Sequence, residues 1–152
     1  MFGHAGIEQD LTACGDDELG TIRAWGKLYK ELRPLLHSGR VVRADVADEQ
    51  TLLHGVVGQD QSEAVFSWAR LGTSPAIQAG RVPLPGLDPA RSYRLRLRTE
   101  IGAPVLHEHA PDWLAAAEQG AVTLSGHVLA RLGLPMPTLQ PHQAIVLQLH
   151  AA

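Results

Sequence analysis

Apolar positions recur at steps of three and four between Asp16 and His37: Ile22, Trp25, Tyr29, Leu32 and Leu36, broadened by Leu19, Leu28 and Leu35. That period lines one face of a helix, so residues 16–37 are predicted helical, with Trp25 at a core position. Asp16 or Asp17 is expected as the N-cap, since a short carboxylate accepts hydrogen bonds from the unpaired first-turn N–H groups. Asp17 and Glu18 also suit the positive end of the helix dipole. Ser38-Gly39 reads as the stop, with Gly39 able to take φ > 0. Pro34 has no N–H to give to the helix and predicts a kink or a short second helix near Arg33.

Beyond Gly39 the period falls to two. Strands are predicted over 40–44, 51–57, 63–71, 81–84 and 93–99. Phe66 and Trp68 share one face of the third. In the fifth, Tyr93, Leu95 and Leu97 point inward while Arg94, Arg96 and Arg98 point to solvent. Turn signals at 58–61, 73–78 and 85–89 separate these runs. The remainder reads as a helical turn over 112–118, a strand over 121–124, a short helix over 127–132 and a strand over 144–149. Many short strands with Pro and Gly turns indicate an antiparallel β-sandwich of Greek-key type. At the other end, Phe2, Ala5 and Ile7 with Gly3 and Gly6 read like the middle of a buried strand on which the chain opens abruptly.

Composition narrows the function classes. The chain has 152 residues, 45% hydrophobic and 19% charged, enough for one folded domain without staples. A net charge of −3 gives no electrostatic footprint for nucleic acid or for an anionic membrane. No apolar run approaches the ~20 residues of a membrane helix, and no basic leader opens the chain. A single cysteine, Cys14, excludes an intrachain disulfide and suits a reducing, cytoplasmic setting.

Candidate chemistry is sparse. There is no nucleophile elbow, phosphate loop, dinucleotide fingerprint or cysteine pair for zinc. His107-Glu108-His109 puts two histidines on one strand face, but no third ligand is nominated, and a solvated turn before Pro111 is the plainer reading. No metal or cofactor is therefore expected. His54, between apolar strand neighbours, is expected to be a hydrogen-bonded structural histidine. A glycosidase needs two carboxylates about 5–10 Å apart across a sugar, and the local pairs here read as caps and turns. Glu8, at a strand end, has no obvious partner. Trp113, in a loop-like stretch, is the tryptophan kept as a sugar-stacking candidate.

Several ordered motifs carry a resemblance. FGHAGIEQDL (2–11), LYKELRPLLHSGRVVR (28–43), HGVV (54–57), PLPGLDPARSYRLR (83–96), LSG (124–126) and GLPMPTLQPHQAIVLQLH (133–150) together resemble bacterial α-galactosidases of glycoside hydrolase family 36. The resemblance covers essentially the whole chain. It implies that residues 1–38 are the last strand and helix of a (β/α)8 barrel and that residues 39–152 are a C-terminal antiparallel β-sandwich. A complete barrel needs about 250 residues, so the chain is too short to hold one.

The family uses an aspartate nucleophile and an aspartate acid/base in a retaining hydrolysis. Both lie on barrel strands preceding the part matched here, so no catalytic residue is assigned. His4, Gly6 and Glu8 are the nearest to a barrel mouth, as wall residues only. Gln9 departs from the large apolar residue usual in the family, at about 1–3 kcal/mol if buried without partners. The resemblance thus implies a piece of an α-galactosidase that is inactive alone and meets α-galactosides only within a full enzyme. The alternatives are a structural or oligomerisation module, in contact with a barrel or a second copy, and a carbohydrate-binding sandwich using Trp113 or Trp68. The helical stripe would form an exposed apolar patch if nothing covers it.

Overall fold

A computed structural model describes residues 2, 6–76, 78–107 and 110–152. A long helix, α1 (Asp16–Ser38), leads directly into strands β1 (Arg40–Ala44), β2 (Thr51–Val57) and β3 (Glu63–Arg70). There follow β4 (Arg81–Val82), β5 (Ser92–Leu97), α2 (Trp113–Glu118), β6 (Val122–Ser125), α3 (Gly126–Arg131), β7 (Leu134–Pro135) and β8 (Gln143–Ala151). Six strands form one antiparallel sheet in the order β1-β2-β3-β8-β5-β6, while β4 and β7 pair separately. The chain thus leaves the main sheet after β3, returns as β5, and fills the gap between them last with β8.

Alternation divides the side chains between two faces. One face carries Leu53, Phe66, Trp68, Tyr93, Leu95, Leu147 and Leu149 into the main core. The second layer that covers it consists of β4, β7, α2 and α3, contributing Val82, Leu114, Leu129 and Leu134. On the opposite face, Val56, Val65 and Val146 receive Leu28, Leu32, Leu35 and Leu36 of α1. The antiparallel β domain with a long preceding helix is as the sequence indicates.

Details differ from the sequence reading. The N-cap of α1 is Gly15, so Asp16, Asp17 and Glu18 fall in the first turn. Glu18 reaches back to accept from the Gly15 N–H at 3.0 Å, which makes an aspartate cap unnecessary. Gly39 has φ −78°, not positive. Its requirement is space: a Cβ there would lie 2.4 Å from Val56 Cγ1. Helix α1 runs through Pro34 without breaking into a second helix, because Leu32 before it and Leu35 and Leu36 after it are all held in the core.

The buried stripe of α1 is shorter than the predicted one and begins only at Leu28. Leu28 and Leu35 are inside, whereas Trp25 is 39% exposed. Residues 6–10 form no strand, and a 3₁₀ turn follows at Leu11–Ala13. A parallel barrel strand takes its hydrogen bonds from flanking strands, and every strand described in this chain is committed to an antiparallel pair.

Candidate functional site

The junction between α1 and the sheet concentrates the chain's distinctive features. Only the C-terminal half of α1 buries side chains, from Leu28 onward; the turns before it bury none. That first half is left largely uncovered. A groove of about 730 Å³ runs along it, lined by Ile22, Trp25, Tyr29 and Arg33 on one side and Gly6, Ile7, Glu8 and Gln9 on the other. Gly6, Glu8 and Gln9 are exposed. Gln9 therefore carries no burial cost, and its amide donates to Cys14 Sγ at 3.2 Å. His4 lies outside the described residues.

Arg98 follows β5 and was expected in solvent with Arg94 and Arg96. It is instead 4% exposed. Its guanidinium forks onto Glu31 of α1, Nη1 to Oε1 at 2.6 Å and Nη2 to Oε2 at 2.7 Å. Behind it, Nε donates to Glu100 Oε1 at 2.7 Å and Nη1 to the Gln148 side-chain oxygen. The Gln148 amide in turn donates to Glu63 Oε1 at 2.8 Å. Hydrogen bonding from Arg98 holds the Glu31 carboxyl below the usual range. Burial works against ionisation of Glu100, but hydrogen bonds and the charge of Arg98 still bring it below its ordinary value. The Glu31 contact above all pushes the guanidinium up in turn. Alternation alone hides this, because it places Arg98 on the same face as Arg94 and Arg96 and says nothing of the helix arriving there.

His54 lies beside a cavity of about 270 Å³ under α1, shared with Trp25, Ser67, Arg98 and Val146. The Phe2 ring meets it edge-on at 4.4 Å between centroids. The expected hydrogen bond is not made at Nδ1, which is buried without a partner among the described residues. The β2 strand presents this ring to an apolar helix–sheet seam, where partners are scarce. Burial, reinforced by the charge of Arg43, pushes its pKa below the ordinary histidine value and keeps it neutral.

The other candidates are dispersed. Trp113 is half-buried against the core and donates its indole N–H to the Pro135 carbonyl at 2.8 Å. Trp68 is 1% exposed and bonds the Pro137 carbonyl at 3.0 Å. His107 pairs with the Gln140 side chain at 3.1 Å, while Glu108 and His109 lie outside the described residues. Among the described residues, no three His, Cys, Asp or Glu side chains are grouped to hold a metal. Nor is any helix among them long and apolar enough to cross a membrane.

What the fold defines is an antiparallel β domain that carries a long helix on one sheet face. Residues 53–149 match the glycosyl hydrolase family 36 C-terminal domain, and the chain belongs to that family. An α-galactosidase of Escherichia coli is 34% identical over the whole chain. The chain spans only 22% of that relative's length.

Solved structures share the fold at lower identity. The α-galactosidase of Lactobacillus brevis superposes with a TM-score of 0.72 at 21% identity, over 95% of this chain and 18% of its own. An α-galactosidase of Geobacillus stearothermophilus in complex with raffinose gives 0.69 at 20% identity, over 94% of this chain and 17% of its own.

Proposed function

We propose that the chain works as the C-terminal domain of an α-galactosidase whose (β/α)8 barrel carries the catalytic aspartates. The reaction of that whole enzyme would be retaining hydrolysis of terminal α-galactosides through a covalent glycosyl-enzyme. The part played by this chain is structural: its β domain buttresses the barrel, and α1 is the element they share. The observation that carries this reading is the uncovered half of α1. Trp25 is 39% exposed and Ile7 55% exposed beside the same groove, an apolar surface suited to the neighbouring elements of a barrel.

On this reading His4, Gly6 and Glu8 belong to the barrel wall near the sugar, and the enzyme is cytoplasmic. Contacts between copies of the enzyme would use surfaces of the β domain left free by the barrel. The test is a chimera in which this chain replaces the matching C-terminal 22% of the Escherichia coli α-galactosidase. The chimera should hydrolyse p-nitrophenyl α-galactoside, while the truncated enzyme and this chain alone stay at the buffer blank. Turnover by the isolated chain overturns the proposal, as does a folded but inactive chimera.

A further inference from the structure

We infer that Arg98 is a clasp: it fixes the angle at which the uncovered half of α1 leaves the sheet, and so positions whatever packs on the outer face of that helix. The hydrophobic driving force that seats Leu28, Leu32, Leu35 and Leu36 of α1 is itself non-directional. A guanidinium forked onto a carboxylate specifies orientation as well as distance. Here the fork is also held from the sheet side. The Arg98 backbone N–H donates to Val146 O at 2.9 Å. Glu100 and Gln148 hold the guanidinium from behind, and Glu63 holds Gln148. Among the described residues, Arg98–Glu31 is the ion pair that joins α1 to the sheet.

The lever arm makes this orientation matter. From Glu31 back to Asp16 the helix runs roughly 22 Å at about 1.5 Å per residue, so a tilt of about 10° at the clasp moves the far end about 4 Å. A displacement of that size puts the exposed face of Trp25 and Ile22 out of register with a packed neighbour. An ordinary surface ion pair would contribute little. Arg98 differs because its side chain is 3% exposed. It also keeps Glu100 as a counter-charge when Glu31 is removed, at an Nη2–Oε1 distance of 2.5 Å. Loss of Glu31 therefore frees the helix without stranding a bare buried charge.

The consequence for a barrel partner rests on the proposed function; the clasp does not, and it is tested in this chain alone. The single native cysteine, Cys14, stands just ahead of α1. With Thr123→Cys on β6 as a second site, spin labels report the distance between helix start and sheet by pulsed electron paramagnetic resonance. The parent pair should give one narrow distribution. In Glu31→Gln its width should at least double, while the thermal midpoint stays within about 3 °C. Glu31→Asp, one methylene too short for the fork, should broaden it as well. An unchanged width in both variants overturns the inference, and so does a collapse of the melt, which would mean that Glu100 does not suffice.

Discussion

The hydroxyl of Tyr93 offers a sharp test of how the β domain is tied together. The ring is 0% exposed in the main core. Its oxygen donates to the Gln61 carbonyl at 2.7 Å and accepts from the Asp88 N–H at 2.9 Å. Those groups belong to two separate turns, one between β2 and β3, the other before β5. Gln61 stands at φ +58°, a conformation costly for a side chain larger than glycine, and its own amide donates to Gly86 O at 2.7 Å.

Tyr93→Phe removes one oxygen and leaves the ring in place. Two hydrogen bonds worth about 1 kcal/mol each are lost, and two partly buried backbone groups must find water. The expected loss is about 2 kcal/mol. For a chain of this size that lowers Tm by roughly 4–8 °C. Urea unfolding should show an earlier midpoint with an unchanged slope, since no surface is added or removed in the native state. A loss below about 0.5 kcal/mol would refute the claim that this hydroxyl pins the corner. A changed slope would show instead that the native state itself had loosened.

Other outcomes follow from the same geometry. Gly126→Ala places a Cβ 2.0 Å from the Asp88 carbonyl oxygen, and a loss of about 3 kcal/mol or more is expected in thermal melts. Gly20→Ala meets nothing within 4 Å on α1 and should stabilise by about 0.5–1 kcal/mol, measured the same way. Leu32→Ala, at a 1% exposed site, should cost about 2–5 kcal/mol by urea titration. Because the pKa of His54 is depressed in the fold, its contribution is complete above its ordinary value of 6.5 and declines as pH falls below it. Urea midpoints should therefore drop between pH 7 and 5, and His54→Leu should flatten that interval; an equal drop in the variant would exclude His54 as the cause. Glu31 and Glu100, also depressed, add a loss only at lower pH, as each is protonated.

The periods of two and near four carried much of the fold. The helix, the principal strands and the split between Phe66/Trp68 and Val65 were all legible, because each follows from which side chains must leave water. What stayed hidden depends on elements meeting across the sequence. Trp25 satisfies the helical spacing, yet full burial begins only at Leu28, so periodicity alone could not say which turns would be covered. Arg98 alternates perfectly with Arg94 and Arg96, yet α1 brings Glu31 onto it from 67 residues away. Gly39 suggests dihedral freedom from sequence, but its role is to let Val56 come close. The site expectations at His4 and at Glu108 and His109 fall on residues outside the described structure. The family motifs, by contrast, were recognisable because their order along the chain is itself information.

The strand last in chain order, β8, occupies the middle of the main sheet, hydrogen-bonded to β3 on one side and β5 on the other. During synthesis the halves β1-β2-β3 and β5-β6 therefore emerge with facing edges unpaired, and neither can close the core that Leu147 and Leu149 complete. The domain cannot finish folding until residues 143–151 have cleared the ribosome. A message cut short by even a few codons in that strand would yield two open sheet edges, which are ready substrates for aggregation and proteolysis. Placing β8 at the centre of the sheet makes folding itself a check that translation has passed this strand.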